Sequence, residues 1–198
     1  MIEFRLGGMT CRISLLFPAL VTALLLCQPD GLAITCLLAS LIHEGGHLLA
    51  MLLLRVPPKE CTLGLFGLRI RLHSHLTEYI RNIGVALAGP LINGAAAVVL
   101  LILRVPQMAA VHLLLAILNL LPVAVLDGGE IGKCLLCLWV GEQRADTVLR
   151  LTSALVVFPM IAIGMWLILW RRSNPTLLII GVYLAVAVFF SDKSEKNS

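Results

Sequence analysis

His43, Glu44 and His47 form an H-E-x-x-H pattern inside an otherwise apolar run, Leu41 to Leu49. On a helix, residues four apart share a face. Two imidazoles so placed can hold one zinc ion, leaving the intervening glutamate to act as general base on a water at the metal. Ionisable groups are costly inside a membrane segment and mark a function or an internal pairing there. The plain alternative is a pair of histidines that hydrogen-bond neighbouring helices. His43 precedes Arg55 by twelve residues; at about 1.5 Å per residue that is roughly 18 Å, well inside a hydrocarbon core of about 30 Å.

A catalytic zinc takes a third protein ligand and keeps a position open for water. Most other acidic residues fall in loops or at termini. Asp127 is the exception, closing an apolar block and followed by Gly128 and Gly129, which let backbone approach closely; it is the candidate third ligand, and otherwise a plain helix-end acid. His112 competes on the same block and reads as a structural polar contact near the outer end of its segment. His73 and His75 form an H-x-H that would point to one face of a strand, exposed or facing substrate. Asn93 reads as a cross-link between helices. Asn119 is open between that role and an amide that stabilises a developing oxyanion.

These residues need a scaffold that holds polar groups in lipid. The mean hydropathy is +1.00, and charged residues make up 13% of the 198, against about 25% in a soluble domain. A soluble core cannot absorb that much apolar surface. The 15 Lys and Arg are scattered between apolar blocks, with no basic stripe interleaved with aromatics, which argues against nucleic-acid binding. The first apolar block lacks a clear small-residue cleavage site and reads as a retained anchor. The six cysteines lie in a chain unlike a small secreted scaffold and read as reduced. Cys134 and Cys137 read as two small buried side chains.

Spans need about 20 mostly apolar residues. Blocks of that kind near 13 to 28, 32 to 54, 82 to 103, 108 to 126, 149 to 170 and 175 to 190 predict an all-α polytopic membrane protein of about six transmembrane helices. The fourth is interrupted by Asp127 to Glu130 before the apolar run Cys134 to Val140. With the N-terminus inside, every Lys and Arg except Arg104, Arg171 and Arg172 falls on the cytoplasmic side, which places both termini in the cytoplasm. Between the second and third blocks, Thr62 to Leu72 alternates in its second half and predicts a short membrane-associated strand or hairpin, whose free edge could pair with an extended substrate. Residues 1–190 read as one integral membrane domain and 191–198 as a disordered polar tail.

Three motifs stand in order: His43 to His47, the small-residue stretch Gly89-Pro90-Leu91-Ile92-Asn93, and Asn119 to Gly128, an N-x-x-P followed by L-D-G. Together they resemble the site-2 protease family of intramembrane zinc metalloproteases, and within it the stage IV sporulation protein FB subgroup. The resemblance implies that His43, His47 and Asp127 hold one zinc ion, that Glu44 activates water, and that a three-helix catalytic core spans about residues 32 to 140. It also implies a membrane protein substrate with a transmembrane or membrane-proximal segment, a bacterial plasma membrane location, and room for a homo-oligomer or regulatory membrane partner. Many relatives carry a PDZ or CBS domain, for which this chain has no room, so the resemblance does not by itself imply regulation through such modules or a role in sporulation.

Overall fold

A computed structural model describes the backbone of residues 2–6, 9–13, 32–55, 60–64, 67–70, 76–171 and 175–195. Its elements in chain order are β1 (Ile2–Leu6), β2 (Met9–Ile13), α1 (Leu32–Leu54), β3 (Glu60–Gly64), β4 (Gly67–Ile70), α2 (Leu76–Ile102), α3 (Pro106–Asn119), α4 (Asp127–Val140), α5 (Glu142–Arg171) and α6 (Thr176–Glu195). The chain divides into two compact units, Met1–Asn119 and Leu120–Ser198.

In the first unit, α1, α2 and α3 pack against one another. Gly46 of α1 meets α2 where a Cβ would lie 2.9 Å from the Ala88 carbonyl oxygen and 3.2 Å from the Gly89 Cα, so only glycine permits this approach. Small residues at such crossings are the usual means of helix association in lipid. Both α1 and α2 end on an arginine in the left-handed region, Arg55 at φ 52° and Arg104 at φ 60°. After α2 the Val105 amide donates to Leu100 O at 2.9 Å and the Arg104 amide to Leu101 O at 3.0 Å, which satisfies carbonyls that a helix end leaves open. Pro106 then opens α3 at the position where its missing N–H costs nothing.

The strands form one sheet in the order β1-β2-β3-β4. β1 and β2 are antiparallel, β2 and β3 parallel, and β3 and β4 antiparallel with Thr62 opposite Arg69. The alternation of Ile2, Phe4 and Leu6 with Glu3 and Arg5 is the period-two pattern of a strand, a signal the span-centred sequence reading passes over.

In the second unit, α5 packs against both α4 and α6. Val123, which is fully buried, packs with Val157 and Leu184 at the centre of its core. Gly164 faces Leu178 and Gly181 faces Ile161 at distances that leave no room for a larger residue to sit without movement. Lys133 of α4 pairs with Asp146 of α5 at 2.9 Å.

Polar and apolar residues are distributed inside out relative to a soluble protein. His43 is 5%, Asn93 0% and Ser153 1% exposed, whereas Leu52 is 76%, Leu155 75% and Trp170 79% exposed. Three helical stretches, Ile34–Leu54, Tyr79–Ile102 and Glu142–Trp170, are long and apolar enough to cross a membrane. The 21 residues of the first rise about 32 Å. Length and surface together identify a membrane protein.

Of the six spans expected from the sequence, these three are found among the described residues. The expected span at 108 to 126 is the 14-residue α3, because Leu120 to Leu126 leaves the helix in a series of turns. The apolar part of α6, Thr176–Phe189, is likewise shorter than a span. The expected first span lies outside the described residues except at Ile13. Helical backbone continues to Glu195, beyond residue 191 where the polar tail was expected to begin.

Candidate metal centre

α1 carries His43 and His47 on one face, both buried. Their rings meet edge to face with centroids 4.7 Å apart, and their Nε2 atoms are 3.1 Å apart. Two nitrogens bound to one tetrahedral zinc at the usual Zn–N length stand about 3.3 Å apart. The separation therefore matches a shared ion, and it equally accommodates one N–H between the rings.

The other ring nitrogen of each histidine is held from α2. The His47 Nδ1–H donates to the Val85 carbonyl at 2.8 Å. This fixes the His47 tautomer with Nε2 as the unprotonated nitrogen, an arrangement usual for metal-binding histidines. Pro90 lies inside α2 and cannot supply the N–H that Ala86 O would receive in a regular helix; the adjacent Val85 O takes the bond from His47. His43 Nδ1 lies 3.2 Å from Asn93 Nδ2, and Asn93 Oδ1 lies 3.0 Å from His112 Nδ1 on α3. All three of these residues are buried.

Gly89 completes the pocket around the two rings. A Cβ there would sit 2.5 Å from His47 Nε2, 2.6 Å from His47 Cε1 and 2.8 Å from His43 Cε1. The absent side chain is what makes space for both imidazoles. Two imidazole nitrogens 3.1 Å apart, one ring tautomerically fixed, form a donor set that suits zinc. Glu44, between them in sequence, is half-buried.

Asn119 ends α3, and its Nδ2 donates to the Leu115 carbonyl one turn back at 3.1 Å. The amide thus has a partner in its own helix. His112 makes the structural polar contact expected of it, to Asn93 Oδ1, and Asn93 in turn meets His43. His73 and His75 lie outside the described residues. Cys134 and Cys137 are not in disulfides; Cys134 is buried and donates to Glu130 Oε1 at 3.7 Å.

In the second unit, Asp127 begins α4, preceded by Leu126 at φ −108° and ψ 164° with no side-chain cap. The turn before it is held in three ways. Val123 inserts into the core. The Ser153 hydroxyl accepts the Ala124 amide at 2.9 Å and donates to Leu149 O at 2.7 Å. The Leu126 amide donates to Val123 O, and the Gly129 and Glu130 amides donate to Leu126 O. The turn folds so tightly over α4 that a Cβ on Gly128 would collide with the Leu120 and Leu121 carbonyls, and one on Gly129 with that of Val123. The sequence Asp127-Gly128-Gly129 is thereby explained: the glycines admit the turn that sets the carboxylate at the helix start. Ser153 is the residue that sequence reasoning passed over. The signal available was a polar side chain in an apolar block, without any indication of its partner.

No family model and no curated protein matches the sequence. The structure is similar to that of the site-2 protease from Methanocaldococcus jannaschii, with a TM-score of 0.71 and 19% sequence identity over 94% of this chain and 93% of that one. The chain therefore has the fold of a site-2 protease, over nearly its whole length.

Proposed function

We propose that this protein is an intramembrane zinc metalloprotease that hydrolyses peptide bonds of membrane-embedded or membrane-associated proteins. The observation that carries the reading is the His43–His47 pair: two buried Nε2 atoms 3.1 Å apart, within a helix apolar enough to span a membrane. Asp127 is the third ligand in this reading, supported by its place in the L-D-G motif and by a turn built to hold it.

Zinc, when bound, would supply a Lewis acid that polarises the scissile carbonyl and makes water a stronger acid. Glu44 takes a proton from the attacking water and gives it to the leaving amine. To meet a developing oxyanion, the Asn119 amide would exchange its bond to Leu115 O for one to substrate. A helical substrate hides its carbonyls in its own hydrogen bonds and has to unwind before attack. Pairing with the edge strand β4 would hold it extended. The three ordered motifs favour the stage IV sporulation protein FB subgroup, and the distribution of Lys and Arg favours both termini in the cytoplasm of a bacterial plasma membrane.

The test is cleavage of a panel of single-span membrane proteins by the purified chain and its Glu44→Gln variant, with bound zinc measured in both. The expected result is one zinc in each and cleavage by the wild type only. Zinc flux into liposomes, abolished by the variant and unaccompanied by cleavage, would replace the protease with an intramembrane metal carrier. Zinc-independent capture of membrane proteins without cleavage or flux would mark a binding protein.

A further inference from the structure

His112, Asn93, His43, His47 and the Val85 carbonyl form one continuous hydrogen-bonded row, with steps of 3.0, 3.2, 3.1 and 2.8 Å. The donors can be ordered along it. With Asn93 Nδ2 toward His43, the amide donates to His43 Nδ1, so the neutral ring carries its proton on Nε2 and points it at His47. In that order His112 donates from Nδ1 to Asn93 Oδ1, and every bond in the row is satisfied, but His43 has no lone pair for a metal.

The other orientation of the amide occupies the same space. Asn93 Oδ1 then accepts from His43 Nδ1–H, and the Nε2 lone pair of His43 faces that of His47. Asn93 Nδ2 now donates to His112 Nδ1, which accepts only with its proton on Nε2. The amide cannot turn alone: a carbonyl facing His43 requires an acceptor facing the amide nitrogen. Both groups are buried, where an unmatched donor carries the full desolvation penalty.

We infer that His112 and Asn93 are positioning residues for the proposed zinc site: His112, as an acceptor, holds the Asn93 carbonyl toward His43 and so selects the His43 tautomer that binds metal. Neither touches the ion or the substrate. Their influence passes through one proton on His43. This inference rests on the zinc-protease reading and concerns metal affinity rather than the bond-making step.

The test is zinc affinity of the purified full-length chain, measured by chelator competition, for wild type, Asn93→Leu, Asn93→Asp, His112→Leu and His112→Met. Thermal unfolding of each without zinc separates loss of fold from loss of affinity. Asn93→Leu and His112→Leu are expected to weaken zinc about 10–100-fold, the usual cost of losing a group behind a ligand. Asn93→Asp keeps an acceptor toward His43 Nδ1–H and restores affinity to within a few-fold of wild type. His112→Met keeps a weak acceptor and falls between wild type and His112→Leu. A purely structural cross-link gives the opposite pattern: both Asn93 variants unfold more easily and neither changes zinc affinity while folded. That result overturns the inference and leaves the zinc site standing. Absence of zinc binding in the wild type would overturn both.

Discussion

Gly89→Ala tests the metal centre through its shape alone, with no ligand touched. The added Cβ would lie 2.5 Å from His47 Nε2 and 2.8 Å from His43 Cε1, where ordinary contact begins at 3.4 Å. Relieving the first clash takes a shift of about 0.9 Å, several times the roughly 0.2 Å within which metal–ligand distances are held. His47 cannot yield freely, since its Nδ1–H is bonded to Val85 O on the same helix that carries the new methyl group. α2 cannot retreat as a unit without opening the Gly46–Ala88 contact. Zinc affinity is expected to fall at least 10-fold, and turnover about 100-fold, the scale of a 1 Å misplacement. Overpacking costs about 1–3 kcal/mol of stability. The assay is chelator competition and substrate cleavage on the purified protein, beside Gly94→Ala, whose Cβ meets nothing within 4 Å. If Gly89→Ala binds zinc and cleaves as the wild type does, the two imidazoles are not where a shared ion would need them, and the metal-centre reasoning fails.

Ser153→Ala strips the Ala124 amide of its acceptor and is expected to lower stability by about 1–3 kcal/mol, measured by thermal or denaturant unfolding in detergent. Gly128→Ala, driven against two carbonyls, is expected to be worse tolerated than Gly45→Ala, which meets nothing within 4 Å; the yield of folded protein after solubilisation reads the difference. Breaking the partly exposed Lys133–Asp146 pair with Lys133→Met changes stability by no more than about 1 kcal/mol, and less at high salt. Asn82 Oδ1 is buried without a partner among the described residues, so Asn82→Leu is expected to stabilise the chain by about 1–3 kcal/mol in the same unfolding assay.

What the sequence conveys about the centre is what helical spacing conveys. His43 and His47 are four apart, so their shared face follows from the helix itself. The groups behind them come from α2 and α3, 38 and 50 residues away for Val85 and Asn93, and no spacing rule links positions so far apart. Gly89 is visible as a small residue in a small-residue stretch, and such stretches usually serve helix packing; here Gly46 makes the helix contact, while Gly89 accommodates two rings. Hydropathy similarly overstates α3, because Leu120, Leu121, Val123, Val125 and Leu126 are as apolar as a span yet form a turn. Leu121, Val125 and Leu126 pack around the buried Val123, Val157 and Leu184 while Leu120 stays exposed, and hydropathy alone does not distinguish a core-packing turn from a lipid-facing helix.

The inside-out arrangement also sets how such a chain can vary. An aliphatic residue facing acyl chains has no shaped partner, so leucine, isoleucine, valine and phenylalanine are nearly interchangeable there, and drift among them costs little. The interior row from His112 to Val85 has no such freedom, because each member must match the donors and acceptors of the next. A fold whose exterior answers to a fluid tolerates wide differences in sequence at little change of backbone, and two chains with 19% identity share this fold at a TM-score of 0.71.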